Sequence, residues 1–418
     1  MKVKVYPGFA QGQIQVPPSK SLLHRAIICA SLAKGTSAIK NIVYSEDIKA
    51  TINAFKKLGV KIIKEENSLK VIGSGELIFL ENETIDCNES GSTIRFLIPL
   101  ITNSSGIYIT GTKSLLNRPM SIYEDIFKDN DLVFKREENR IFLKGDLPAQ
   151  KYVVKGNISS QFISGLLFTL PLKKEDSEIQ IIGDFESKKY VDMTLEVLKC
   201  FGINIIEQEN IYYIQGNQSY RPTDYKVESD YSQLAFFAVA GIINGDIKIT
   251  NLNPFSLQPD ASIIDVIKKM NGKVSKEKHS LRFTKSITTN IDLDVSQFPD
   301  IAPILSILAG LSQGECLIYN ARRLKIKETD RLQAINDILK KLGVRTDVYE
   351  ESYRIYGQEG YHANVFDSYN DHRMVMSIAI AALRSNNPVI IENYEAVNKS
   401  YPHFFEDLQS LGIKIEYI

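Results

Sequence analysis

The 418-residue sequence has no excess charge of either sign: 50 Lys plus Arg are matched by 50 Asp plus Glu. A general nucleic-acid surface needs a basic excess, so that class of partner is excluded, although a local basic pocket is not. Cysteine is scarce, with Cys29, Cys87, Cys200 and Cys316 and no CxxC pair. All four read as small core residues of a protein from a reduced compartment. The five histidines lack HExxH or any other metal spacing, so no metal is expected. Neither GxxxxGK[ST] nor GxGxxG occurs, which argues against P-loop nucleotide and dinucleotide sites. No apolar run approaches the roughly 18 residues that cross a membrane. The opening MKVKVYPGFAQGQIQVPP has no signal core and no transit pattern. The expectation is a cytoplasmic protein with no membrane or nucleic-acid partner and no cofactor.

What is present is a repeat. A helical phrase closing on glycine and turning into a strand occurs at AFKKLGVKII (54–63), VLKCFGINII (197–206), IKKMNGKV (267–274), LKKLGVRTDV (339–348) and LQSLGIKIEY (408–417). The glycines are Gly59, Gly202, Gly272, Gly343 and Gly412; the last four stand 70, 71 and 69 residues apart by subtraction. A sixth copy falls at YEDIFKDNDLVF, with Asn130 in the glycine's place. Glycine, and less often asparagine, ends a helix in the left-handed conformation, and a β-branched strand follows. Six α/β units of about 70 residues would fill the chain and form α/β layers. The stretch 129–155 looks shortened, with its signature eroded. Domain junctions fall near PPSK (17–20) and VESD (227–230), where extended sequence meets a helix opening with Ser or Asp.

The polar residues concentrate where helices begin. A helix N-terminus offers unpaired N–H groups and partial positive charge, which suit anions. In PPSKSLLHRAIICASLA (17–33), Ser19 is a candidate N-cap, and Lys20, Ser21 and Arg25 could hold a phosphate; a capped helix with solvated charges is the plain alternative. NESGSTIRFLIPL (88–100) brings Gly91, which lets a ligand approach the backbone. Arg118 follows in LLNRPM, and Ser159, Ser160 and Gln161 form a polar triplet in GNISSQFISGLLF (156–168). In QFPDIAPILSILAG (297–310), Asp300 is either an N-cap or a carboxylate placed as a general base. Lys327, Glu328 and Arg331 crowd RRLKIKETDRLQAI (322–335). Arg373 opens the apolar helix of YNDHRMVMSIAIAAL (369–383), and Lys399 precedes the last helix. Anion capture repeated from both halves of a neutral chain points to an enzyme for small, multiply anionic substrates.

PSKS…R, SGST/R, NRP, SSQF, FPD, KETDR, NDHR and the late Lys together resemble the 5-enolpyruvylshikimate-3-phosphate synthase family, in its order, from about residue 12 to the C-terminus. The resemblance implies the enolpyruvyl-transferase fold, an inside-out α/β barrel of two domains with three repeats each. The domains would be 19–228 and 1–18 plus 229–418, hinged near 18–19 and 228–229. It implies transfer of the enolpyruvyl group of phosphoenolpyruvate to the 5-hydroxyl of shikimate 3-phosphate by a monomer without metal or organic cofactor. By motif matching, Lys20, Ser21, Arg25, Ser159, Ser160, Gln161, Ser187, Asp300 and Lys327 would hold shikimate 3-phosphate. Lys20, Gly91, Arg118, Gln161, Arg331, Arg373 and Lys399 would hold phosphoenolpyruvate. Asp300 would be the base at the 5-hydroxyl, and Glu328 with Lys20 would handle the methylene proton. Departures from the family pattern are Glu89, Ser92, Phe96, Arg323 and Lys189. Two alternatives are the sister transferase acting on UDP-N-acetylglucosamine and a non-catalytic metabolite-binding relative. The first is disfavoured because no cysteine lies in the NRP region and Ser21 follows Lys20; the second, because Asp300, Glu328 and Lys20 are intact.

Overall fold

A computed structural model describes residues 1–79, 83–102 and 104–418. The chain divides into two compact units, Pro18–Val227 and Met1–Pro17 with Glu228–Ile418. Each unit has its own continuous apolar core.

Six four-stranded sheets account for the described strands, and all share one plan: a parallel pair followed by two antiparallel pairings. The unit at 151–214 shows the plan. Strand Lys151–Lys155 runs parallel to Ser177–Ile182, with Tyr152 opposite Ile179. The helix Ser160–Thr169 makes the crossover. Helix Lys188–Cys200 then leads to strand Ile205–Gln208, which pairs antiparallel with Ile211–Ile214. Alternate side chains of Lys151–Lys155 are buried, as expected of a strand covered on one face.

The helix-ending turns sit at left-handed residues, because an unstrained positive φ is needed where helix turns to strand. Gly59, Gly202, Gly343 and Gly412 have φ of 84°, 82°, 85° and 89°. At the two remaining turns the assignment from sequence is corrected by one residue. Asn271, not Gly272, has φ 66°, and Asp131, not Asn130, has φ 54°. The six left-handed positions 59, 131, 202, 271, 343 and 412 lie 72, 71, 69, 72 and 69 residues apart by subtraction. The 129–155 stretch is not a truncated unit: strands Val133–Arg136 and Arg140–Gly145 complete its sheet.

Two sheets are closed by strands distant in sequence. Tyr225–Lys226 pairs with Ile39 and Lys40, and Ala10–Ile14 pairs in parallel with Gly245–Ile249. Strand Lys2–Val5 likewise lies inside the sheet made with Val389–Glu392 and Ile415–Tyr417.

Each unit packs three almost fully buried helices: Lys20–Leu32, Gly91–Leu100 and Ser160–Thr169 in one, Tyr231–Asn244, Ala302–Gly310 and His372–Ala381 in the other. Helices buried all round bury all their residues, so polar side chains cluster at their ends. Five of the six N-termini are capped by a side-chain oxygen, from Ser19, Ser90, Ser159, Asp230 and Asp371. The sixth is not: Asp300 lies within a 3-10 turn, Pro299–Ile301, and Ile301 occupies the cap position of Ala302–Gly310. The N-cap reading of Asp300 is therefore excluded, and its carboxylate is available for other partners. Cys29, Cys87 and Cys316 are buried as expected, but Cys200 is exposed, because it ends its helix on the outer side.

Candidate active site

The candidate residues form two groups, one on each unit. In the 18–227 unit, the Ser90 hydroxyl accepts from Thr93 N–H at 3.2 Å and starts a helix whose first residue is Gly91. A methyl group built on Gly91 would lie 2.9 Å from Arg118 Nη1, 3.4 Å from Arg95 Nη1 and 3.6 Å from Gln161 Oε1. Gly91, Arg118 and Gln161 are thus brought together. Arg95 and Ser92 complete the group: Arg95 Nη1 donates to Gln161 Oε1 at 2.7 Å, and Gln161 Nε2 donates to Ser92 Oγ at 2.9 Å. Arg95, visible in the SGST…R motif but not singled out as a contact, holds the Gln161 amide. Its guanidinium also lies over the Phe162 ring at 5.1 Å.

Lys20, at the start of its helix, pairs with Asp47 at 2.7 Å; nothing in the sequence marked Asp47. Arg25 is 2% exposed and does not stand beside Lys20 as a second solvent-facing cation. It donates to Thr194 Oγ1 at 2.8 Å, to the Ser21 carbonyl at 2.7 Å and to the Tyr190 carbonyl at 2.9 Å. Burial brings its pKa down to about 10, although neighbouring Tyr190 opposes the shift. Thr194 also bonds Ser164 at 2.8 Å, so Arg25 ties together the helices carrying Ser21, Ser160 and Ser187. Ser187 itself is fully buried, with φ 54°, at the head of Lys188–Cys200. Ser159 caps its helix by accepting from Gln161 N–H at 3.3 Å, and Ser160 is the first helical residue.

The second group is an ion cluster built on Asp300. Lys327 Nζ stands 3.0 Å and Arg331 Nη1 3.1 Å from Asp300 Oδ1, and Arg373 Nη2 stands 3.4 Å from Oδ2. Arg331, buried to 1% exposure, also reaches Glu328 at 2.7 Å and Asp371 at 2.7 Å. Asp371 caps the helix that carries Arg373, accepting from its N–H at 2.8 Å, and clamps Arg331 from its other side. That second role was not legible from NDHR. Arg373 is further held by Ser232 Oγ at 3.0 Å, another partner without a sequence signal. Lys399 donates to the Asn370 carbonyl, next to the Asp371 of this cluster.

Burial alone would raise the Asp300 carboxyl, but Lys327, Arg373 and Arg331 together hold it well below the ordinary carboxylate range. Burial pulls Lys327 down, and Asp300 opposes that. Arg331 is raised: burial opposes its charge, but Asp371, Glu328 and Asp300 outweigh the cost. Among the described residues no group of three or more His, Cys, Asp or Glu could hold a metal ion, and no helix is long and apolar enough to cross a membrane.

Each unit thus carries its own cluster of buried cationic side chains, and the one in the 228–418 part surrounds the Asp300 carboxylate. The model of the family described as EPSP synthase, 3-phosphoshikimate 1-carboxyvinyltransferase, matches residues 7–408. The chain belongs to the EPSP synthase family. A 3-phosphoshikimate 1-carboxyvinyltransferase of Clostridium novyi is 45% identical, over 98% of this chain and 97% of that protein. One of Clostridium acetobutylicum is 46% identical over the same shares. An EPSP synthase structure from Acinetobacter baumannii superposes with TM-score 0.82 at 25% identity, covering 100% of both chains. The enolpyruvyl transferase NikO of Streptomyces tendae shares the fold, with TM-score 0.81 at 16% identity. As an EPSP synthase family member, this chain is a transferase with the enolpyruvyl-transferase fold.

Proposed function

We propose that the chain transfers the enolpyruvyl group of phosphoenolpyruvate to the 5-hydroxyl of shikimate 3-phosphate, releasing phosphate. The observation that carries this reading is the Asp300 carboxylate held among Lys327, Arg331 and Arg373. The named activity of the relatives supports it.

In the addition step the 5-hydroxyl oxygen bonds to C2 of phosphoenolpyruvate. Its proton passes to Asp300, and the methylene carbon gains a proton through Glu328, with Lys20 on the other unit as the second candidate carrier. In the elimination step the C2–O bond to phosphate breaks, the methyl carbon returns its proton to Glu328, and the proton held by Asp300 leaves with the phosphate. Both steps build charge beside a carboxylate and a phosphate, which fixed cations stabilise without rearranging. Shikimate 3-phosphate is assigned to Lys20, Ser21, Arg25, Ser159, Ser160, Gln161, Ser187, Asp300 and Lys327, and phosphoenolpyruvate to Lys20, Gly91, Arg118, Gln161, Arg331, Arg373 and Lys399.

The depressed Asp300 is a weak base while three cations surround it. Phosphoenolpyruvate brings a carboxylate and a phosphate that compete for Arg331 and Arg373. Their arrival weakens the pull on Asp300 and raises its proton affinity when a base is needed. The units are proposed to work as hinged domains of a cytoplasmic monomer. The decisive experiment measures phosphate release and the enolpyruvyl product with both substrates. Turnover that requires shikimate 3-phosphate supports the reading; turnover only with UDP-N-acetylglucosamine as acceptor, or none, refutes it.

A further inference from the structure

Two rungs join the Lys20–Leu32 helix to the neighbouring Glu46–Lys57 helix. Lys20 Nζ meets Asp47 at 2.7 Å, and one turn on, His24 Nδ1 meets Thr51 Oγ1 at 2.7 Å. A spacing of four residues on both helices keeps the rungs on one face. The second rung is sealed: His24 and Thr51 are 0% exposed. From Thr51 the bonding continues to Thr93 Oγ1 at 2.7 Å, and from Thr93 Oγ1 to Ser90 Oγ at 2.7 Å. Ser90 is the cap of the helix that begins at Gly91.

Donor counting gives the chain a direction. The Thr93 hydroxyl hydrogen goes to Ser90 Oγ. A hydroxyl has one hydrogen, so Thr93 Oγ1 accepts from Thr51, and Thr51 Oγ1 accepts from His24. The imidazole must carry its hydrogen on Nδ1. Nε2 is then a bare lone pair, and it is buried without a hydrogen-bond partner. Burial, with Lys20 and Arg25 nearby, holds the ring well below its ordinary pKa, so it is neutral. Protonation would add an Nε2–H donor with no acceptor in reach.

We infer that His24 is a positioning residue for phosphoenolpyruvate. Through Thr51 and Thr93 it locks the Ser90 cap, and so sets where the backbone at Gly91 stands against Arg118 and Gln161. Each link holds the rotamer of the next in a dry interior, and an open link leaves a buried donor or acceptor unsatisfied. The clearance at Gly91 is small: the space beside its α-carbon is bounded by Arg118 Nη1, 2.9 Å from where a β-carbon would sit. A small shift of the cap therefore reaches the ligand's surroundings. His24 acts through its neighbours and is not a catalytic residue. The inference rests on the assignment of phosphoenolpyruvate to Gly91 and Arg118.

Four variants and one spectrum test it. His24→Leu and Thr51→Val keep bulk but cut the chain; His24→Asn and Thr51→Ser keep a polar hydrogen at the cut. The cutting variants are expected to raise the KM for phosphoenolpyruvate about tenfold, with the KM for shikimate 3-phosphate changed less than about twofold. The conserving variants should return to within about twofold of wild type. Nitrogen-15 spectra of histidine-labelled protein, with the His24 signal identified by its loss in His24→Leu, should show protonated Nδ1 and bare Nε2. An Nε2–H tautomer, an unchanged phosphoenolpyruvate KM in Thr51→Val, or parallel rises in both KM values with a lowered melting temperature would overturn it. Absence of wild-type turnover would refute the functional reading instead, and the tautomer would still decide whether the directed chain exists.

Discussion

Asp300 is ringed by Lys327, Arg331 and Arg373, and this environment makes two pH effects predictable. Its carboxyl is held below the ordinary value by Lys327, Arg373 and Arg331. A depressed carboxylate stabilises the fold above its unfolded pKa, about 4, and loses that contribution as pH falls toward the depressed value. Acid unfolding followed by circular dichroism should therefore show a shallower loss of stability below about pH 4 in Asp300→Asn than in wild type. The kinetic effect has the opposite sense. If the substrate draws the cations away, the acid limb of kcat should lie at higher pH than that of kcat/KM, after correction for substrate ionisation, because kcat/KM reports the free enzyme. Coincident limbs would show that the cations stay with Asp300. Gly91 offers the second residue-scale prediction. Glyphosate, the family's known inhibitor, pairs a phosphonate with a carboxylate and should compete with phosphoenolpyruvate. In Gly91→Ala the new methyl meets Arg118 Nη1 at 2.9 Å, the tip of a flexible side chain that has to move. The inhibition constant should rise about tenfold or more while the KM for phosphoenolpyruvate rises less. Equal changes in the two would show that the methyl acts on both ligands alike.

At the scale of elements, the contact between Gly91–Leu100 and Ser160–Thr169 depends on one small residue and one hydroxyl. Tyr123 OH donates to the Arg95 carbonyl at 2.6 Å and approaches the Phe162 carbonyl at 3.2 Å. A methyl on Gly165 would fall 2.2 Å from that hydroxyl and 2.5 Å from the Arg95 carbonyl. Gly165→Ala is overpacking against backbone and should cost about 1–3 kcal/mol, whereas Tyr123→Phe removes a buried bond and should cost about 1 kcal/mol. Urea titrations of the two variants give the order. A smaller loss in Gly165→Ala than in Tyr123→Phe would mean that the helices separate easily. Cys200 ends an outer helix, while Cys29, Cys87 and Cys316 lie in the cores. One thiol should react with an aromatic disulfide reagent in the native protein and four after unfolding, with turnover unaffected by the first.

At the scale of the molecule, the chain passes between the two units only at Pro17–Pro18 and Val227–Glu228. Both sides of the second junction are pinned. Val227 N–H donates to the Lys40 carbonyl at 3.0 Å, and the Glu228 carboxylate accepts from Asn253, Ser256 and Gln258. A hinge proposed here is therefore confined to the peptide between two anchored residues. Saturation with shikimate 3-phosphate should lower the radius of gyration measured by small-angle scattering, and an unchanged value would count against hinged closure.

Local chemistry was enough to determine a good deal. The repeat of about 70 residues is written in the sequence because a helix that turns directly into a strand needs a left-handed residue. The helix openings are equally local: Ser19, Ser90, Ser159 and Asp230 cap within three residues of themselves. The motifs around Gly91, Gln161, Asp300 and Arg331 named the candidate site residues for the same reason. Partnership across the fold was not legible. Asp47 beneath Lys20, Asp371 clamping Arg331, and the enclosure of Arg25 by Thr194 and Tyr190 join residues 27, 40, 169 and 165 positions apart. Such pairings depend on which helices become neighbours, and no local periodicity records that. The closing of two sheets by Ala10–Ile14 and Tyr225–Lys226 is likewise a tertiary decision. An edge strand pairs with whichever backbone the packed core brings alongside it, and hydrogen bonds between main chains carry no residue code.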